Sequence, residues 1–279
     1  MKLSEVAQRQ AQHLIVFGDP KVGKSQLVAE LTKHFNLFWF SLDGGHSILY
    51  KLPQEQQAKV RIIILPDTGD YPIAAETCRK VMKGGSSKIC NLHGKFSCFI
   101  CLKNNAAFEE VELSSLGLDW IIVWDNISQL GDSIMNHLTK DKEDTFKPGW
   151  DEYMPQGQLL TKFLSAIQQS PQHHICIAHC IEAELEDGKL KVFPLCGTRN
   201  YSRGVGKYFD HMIHVDVRNK KHTFGSKTTY LLNISTGSRT DVNIEDMKPE
   251  EVSLLPFFKI ENQVSAKVVL TELKGGITK

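Results

Sequence analysis

Apolar residues along this chain gather into short continuous runs: "HLIVFG" (13–18), "LFWFSLD" (37–43), "VRIIILP" (60–66), "LDWIIVWD" (118–125), "HICIAHC" (174–180), "HMIHVDV" (211–217) and "TTYLLNIS" (228–235). Runs of this length, bounded by turn-forming residues, predict strands buried on both faces. Between them the period changes to that of a helix. Leu27, Val28 and Leu31 follow the first run at helical spacing, and Leu159, Leu160, Phe163, Leu164 and Ile167 share one face of a predicted helix over 156–170. Two more helices are predicted over 72–83 and 127–139. Buried strands alternating with helices predict an α/β fold with a mostly parallel central sheet and helices on both faces.

The pattern lapses twice. Residues 84–112 read as an insertion, and 181–208 read as a hairpin around "EDGK" followed by "CGTRNYSRGVGK", rich in glycine and cations. The expected organisation is a core over 1–83 and 113–244, the insertion at 84–112, and a C-terminal tail, 245–279, with weak signals.

With 279 residues the chain is long enough for a hydrophobic core that needs no staples, and a net charge of +1 excludes general electrostatic attraction to nucleic acid or membrane. No run approaches the ~18 apolar residues of a membrane span. The start, "MKLSEVAQRQAQ", lacks the pattern of a signal peptide, so an intracellular protein with no membrane partner is expected. Seven cysteines in no secreted-type framework suit a reducing compartment, with thiols free or on metal.

Chemistry enters at "GDPKVGKS", which satisfies G-x-x-x-x-G-K-[ST] between a strand and a helix start. Backbone amides of Gly18, Asp19, Pro20, Lys21, Val22, Gly23, Lys24 and Ser25 would form the phosphate loop, Pro20 contributing shape without a donor. Lys24 would reach the β/γ-phosphates of ATP, and Ser25 would offer its hydroxyl to Mg²⁺. Asp125, closing "IIVWD", is placed to hold the same magnesium ion. Asp43, closing another run, is either a carboxylate reaching the γ-phosphate side or the opener of a turn before Gly44 and Gly45. His179, at the end of "ICIAH", can hydrogen-bond the γ-phosphate or be an ordinary strand-end polar residue.

The insertion carries "CNLHGKFSCFIC". Cys90-x-x-His93 and Cys98-x-x-Cys101 are two hooks that together give the four N/S ligands of structural zinc. A redox-active pair is the competing reading. With all four positions filled by protein, the metal's role would be to hold together an insertion too small to fold by itself.

Strand, phosphate loop, Asp43, Asp125 and His179, in that order, resemble a RecA-type ATPase core over roughly residues 12–240. The stretch "IAHCIEAELEDGKLKVFPLCGTRNYSRGVGKYFDHMIHV" is similar to small phage-encoded RecA-like ATPases, described as nucleotide-binding or single-strand annealing recombination proteins. The resemblance implies a RecA-like P-loop NTPase that hydrolyses ATP on single-stranded DNA during recombination, repair or replication, in a host cytoplasm. It puts Asp43 in the place of a catalytic glutamate, His179 in that of a γ-phosphate sensor, and 181–208 in that of the DNA-binding loop. It further implies a ring or filament in which Arg239 reaches a neighbour's ATP, Gly237 standing where relatives often have lysine.

Lys189, Lys191, Arg199, Tyr201, Arg203 and Lys207 are the expected DNA contacts, cations for phosphates and rings for bases, though a basic loop is often only solvated. A single-strand binding or replication protein is a further expected partner. The competing reading is a nucleotide-switched adaptor or loader with little hydrolysis, because aspartate is one methylene shorter than glutamate. A small-molecule kinase would need a lid with paired arginines, which the sequence does not offer.

Overall fold

The computed structural model describes residues 11–68, 71–143, 145–184, 190–222, 228–238, 243–247 and 254–258. Every apolar run forms a strand. The elements are β1 (His13–Phe17), α1 (Lys24–Ala29), β2 (Asn36–Ser41), α2 (Gln54–Gln57), β3 (Val60–Ile64), α3 (Ile73–Val81), β4 (Ser87–Cys90), α4 (Phe99–Lys103), β5 (Phe108–Val111) and β6 (Trp120–Asp125). They continue with α5 (Ile127–Thr139), α6 (Trp150–Gln169), β7 (His173–Ala178), β8 (Cys180–Glu184), β9 (Leu190–Pro194), α7 (Arg199–Ser202), β10 (His211–His222), β11 (Thr228–Ser238) and β12 (Asn243–Met247).

The main sheet runs β12-β11-β10-β1-β7-β6-β2-β3. Its strands from β10 to β3 are parallel, while β11 and β12 add to it in antiparallel fashion. Successive side chains point to opposite faces, so each strand feeds two cores. Ile15, Phe17, Phe38, Phe40, Ile122, Trp124 and Cys176 pack under α3, α5 and α6. Leu14, Val16, Leu37, Trp39, Ile121, Val123, Ile175 and Ile177 meet α1 on the other side.

Trp124 centres the first layer: it stacks on Phe40 at 4.3 Å between ring centroids and meets Phe163 edge-on at 5.0 Å. Its indole Nε1 donates to His174 Nδ1 at 3.1 Å. Truncating such a fully buried ring costs about 3–5 kcal/mol. The strand bearing the phosphate loop, β1, does not touch the acid-bearing strand β6, because β7 lies between them. With the loop joining β1 to α1, this is an α/β fold of the RecA-like P-loop kind.

Two boundaries differ from the sequence reading. The helix expected from 156 starts at Trp150, because Glu152 accepts a bond from the Gly149 amide at 2.8 Å and caps an earlier turn; Pro155 then falls inside the helix. The Gly-rich stretch after 194 is not all loop: it holds α7 and a 3₁₀ turn over Val205–Tyr208. Among the described residues no helix is long and apolar enough to cross a membrane.

The stretch 84–112 holds the antiparallel pair β4–β5 and helix α4, apart from the main sheet. It docks beside β3. Leu65 N donates to Ser41 O at 2.8 Å, so the Ile64 carbonyl of the same peptide points outward. Gly94 lies against that oxygen with φ 63°, and a Cβ there would stand 2.6 Å from it. Thr77 of α3 donates to Gly94 O at 2.9 Å, Arg61 of β3 pairs with Glu109, and Arg61 also donates to Glu110 O at 3.0 Å.

Candidate functional site: a phosphate cleft and a Cys₃His cluster

A cleft of about 470 Å³ opens at the carboxyl ends of β1, β2, β6 and β7, the side where parallel sheets place ligands. Pro20, Lys21, Gly23, Lys24, Ser25, Asp43, Asp125, Asn126 and His179 all line it. Gly23 is left-handed at φ 94° and starts α1, and a Cβ on Gly18 would fall 2.1 Å from Val215 O on β10. Two positions of the loop thus exclude larger residues for different reasons, conformation at one and close approach at the other.

Lys24 is buried, and its Nζ donates to Gly18 O at 2.9 Å and Asp19 O at 2.7 Å. The ammonium therefore sits inside the loop. Burial lowers its pKa, against the pull of Asp125, Cys180, Asp19 and Asp43. Ser25 Oγ donates to Asp125 Oδ2 at 3.0 Å, which brings the two expected magnesium ligands together. Burial and the nearby Asp43 push the Asp125 carboxyl up to about 7, while Ser25 and Lys24 pull it down. A buried carboxylate beside a second one fits a site made for a divalent cation.

Asp43 opens the expected turn and also lines the cleft. Oδ1 accepts from the Gly45 amide at 2.8 Å, which is the turn, and Oδ2 accepts from Asn126 Nδ2, which turns the carboxylate into the cleft. Asn126 was not anticipated. It is 2% exposed, and its Oδ1 accepts from Gln129 N at 2.8 Å as the N-cap of α5. That cap fixes which end of the amide is oxygen, so Nδ2 must be the atom facing Asp43 and, at 3.3 Å, His179 Nε2. His179 then carries its ring proton on Nδ1, a buried atom with no partner among the described residues. Burial first, then Lys24, lowers the His179 pKa, against the pull of Asp43, Asp132 and Asp19. An Asn directly after a strand-end acid and before a helix was the available sequence signal, since Asn favours N-caps.

The backbone behind His179 is tied to the segment beyond it. His179 N donates to Ser128 Oγ at 2.9 Å, Ser128 Oγ donates to Leu195 O at 2.7 Å, and Leu195 N donates to His179 O at 2.8 Å.

In the insertion, His93 Nδ1 stands 3.2, 3.5 and 3.9 Å from the sulfurs of Cys101, Cys98 and Cys90. The four ligand atoms lie within 4.8 Å of one another, and all three thiols are free. Zinc–sulfur bonds of about 2.3 Å and a zinc–nitrogen bond of about 2.0 Å put neighbouring donors of a tetrahedron roughly 3.5 Å apart. The cluster has the donor set and spacing of a structural zinc site.

The expected DNA loop is more engaged than its composition suggested. Arg199 donates to Glu182 O at 2.9 Å and Arg203 to Glu184 O at 3.0 Å, both onto β8. Tyr201 has partners of its own: its half-buried ring packs on α6 beside Gly157, and its hydroxyl bonds Thr161 at 3.1 Å. Lys191 and Lys207 are exposed. Lys189 and Arg239, together with most of 245–279, lie outside the described residues.

No family model matches the chain, and no curated protein matches it. Solved structures do. An ATPase from the type III secretion system of pathogenic bacteria is 13% identical over 74% of this chain and 52% of its own, with a TM-score of 0.43. The flagellar accessory protein FlaH from Methanocaldococcus jannaschii is 13% identical over 80% and 77%, with a TM-score of 0.35. The assembled ATPase EscN of the enteropathogenic E. coli type III secretion system is 14% identical over 74% and 43%, with a TM-score of 0.37. The chain spans about half the length of the first of these, 52%. Its RecA-like architecture stands on strand order and phosphate loop rather than on these likenesses.

Proposed function

We propose that this chain binds ATP with Mg²⁺ and hydrolyses the terminal phosphoanhydride bond. The observation that carries this reading is the convergence of Lys24, Ser25, Asp43, Asp125 and His179 on one cleft. When bound, the triphosphate supplies the scissile bond and magnesium the charge that neutralises it. Loop amides and Lys24 would hold the phosphates, and Ser25 and Asp125 the metal. Asp43 would orient a water and take its proton as the new P–O bond forms and the bond to the departing diphosphate breaks. His179 would stand at the γ-phosphate end.

The finer reading is a RecA-like protein of a phage, working in the host cytoplasm on single-stranded DNA in recombination, repair or replication, as a ring or filament with Arg239 acting across subunits. It is supported by the resemblance of 177–215 and by the ties from His179 to Leu195, which give the cleft a physical route to the segment beyond β7. Cys90, His93, Cys98 and Cys101 would hold zinc structurally. A nucleotide-switched adaptor with little turnover is the second reading, favoured by the engagement of both Asp43 oxygens.

Turnover of ATP by wild type and Lys24→Ala, with and without single-stranded DNA, tests both. The variant should lose nucleotide binding by calorimetry and keep fold and metal. Wild type indifferent to ATP would end the proposal. Binding without DNA-stimulated turnover would favour the adaptor.

A further inference from the structure

Four cations outside the phosphate cleft face one hollow. Arg79, Lys80 and Lys83 come from α3 and the residues just after it, and Lys95 from the insertion; with Tyr71, Glu76, Thr77 and Phe96 they line a cavity of about 310 Å³. Glu76, the sole acid there, already accepts from the Tyr71 hydroxyl and faces His137 at 3.5 Å. Among the described residues none of the four cations forms an ion pair. Two are held in place by rings: Lys80 Nζ lies 3.9 Å from the Phe96 centroid, and Lys95 Nζ 3.8 Å from that of Tyr71.

The same insertion exposes Phe99 at 77% and Leu92 at 73%, with Lys88 and Lys103 also exposed. Uncompensated cations in the hollow and an exposed aromatic ring elsewhere on the same insertion are the two components that sequence-tolerant binding of single strands uses. An acidic protein segment would use the cations but leave the ring without a planar partner. The expected loop, by contrast, spends Arg199 and Arg203 on its own carbonyls and Tyr201 on packing.

We infer that the hollow between α3 and the Cys₃His insertion is where single-stranded nucleic acid lays its phosphates, with Phe99 offered to a base. This rests on the single-strand role proposed above and relocates its surface. It also gives the insertion a task. Lys95 and Phe96 stand between His93 and Cys98, so a metal closing that loop would shape one wall of the hollow.

Fluorescence anisotropy with labelled DNA and RNA oligonucleotides of one sequence tests the assignment across a salt series. Each neutralised phosphate contributes about −0.7 to the slope of log affinity against log salt, so four give about −2.8, or roughly a 50-fold loss per fourfold rise in salt. Lys80→Glu/Lys83→Glu should weaken binding of either strand at least tenfold and flatten the slope by about 1.4. Lys83→Glu alone, which leaves the Phe96 contact intact, should weaken it at least threefold with zinc content unchanged. Arg199→Glu/Arg203→Glu should change it less than twofold.

Loss in the Arg199/Arg203 variant with none in the lysine variants overturns the assignment while leaving the single-strand role standing. No binding by wild type removes both and leaves the ATP cleft untouched. Equal displacement of the oligonucleotide by polyglutamate overturns it in favour of an acidic protein partner.

Discussion

Asn126 is where a single atom change has the sharpest expected consequence. Asn126→Asp keeps an oxygen to cap Gln129 N but turns the Nδ2 donor shared by Asp43 and His179 into a second acceptor. A hydrogen bond to a charged group contributes about 1.5–3 kcal/mol. Asp43 is exposed, so water replaces part of the bond and a loss of about 1–2 kcal/mol is expected from that contact. The new carboxylate facing Asp43 adds repulsion at high pH, so the pair takes up a proton more readily in the folded than in the unfolded state. Its penalty therefore shrinks as pH falls from 8 toward 5. Asn126→Ser keeps a cap, adds no charge, and should fall between wild type and Asn126→Asp in urea midpoint at pH 8. Nitrogen NMR of the His179 ring gives a readout independent of stability: wild type carries its proton on Nδ1, and Asn126→Asp draws it to Nε2. In turnover, a positioning loss of 1–2 kcal/mol lowers kcat roughly five- to thirtyfold with KM little changed. An Asn126→Asp protein as stable as wild type at pH 8, with the His179 tautomer unmoved, would refute the account of this contact.

Other outcomes follow from the packing. His173 Nδ1 accepts from Gln12 N at 2.9 Å and His174 Nδ1 from Trp124, while burial lowers the first to about 4 and the second well below its usual value. The unfolded chain then binds more protons below about 6.5, so stability falls as pH drops from 7 toward 4, by up to about 2 kcal/mol from His173 at pH 5; a flat thermal midpoint between pH 7.5 and 5 would contradict this. Gly94→Val forces a side chain against Ile64 O from a left-handed backbone, and should release the insertion, seen as faster hydrogen exchange over 84–112 with the core unaffected. Cys98→Ser should abolish stoichiometric zinc and produce the same local exchange pattern. Gly18→Ala drives a methyl into Val215 O and should lower the unfolding midpoint as well as nucleotide affinity, whereas Lys24→Ala should lower affinity alone.

Much of the architecture was written in period. A strand such as "LDWIIVWD" has to be buried on both faces, and such strands pair in parallel with helices covering them. The cleft was legible where chemistry dictates local sequence, as in Gly18–Ser25 and Asp125, and the metal cluster because its two hooks lie within twelve residues. What sequence reading missed was set by tertiary partners. Tyr201 looks like a loop aromatic until α6 supplies Thr161, and Asn126 looks like a helix cap until β2 delivers Asp43. Arg79, Lys80, Lys83 and Lys95 gather only when the insertion folds back on α3. The start at Trp150 was hidden by Pro155, which normally announces a first turn rather than a second.

The docking of Gly94 and Arg61's partners beside β3 also bears on how copies of this chain can meet. A terminal strand with bare carbonyls invites another molecule to continue the ladder, and here the outward Ile64 oxygen is shielded by a neighbouring backbone. Extension of the ladder from β3 by another molecule is thereby obstructed at the Ile64 end of that strand.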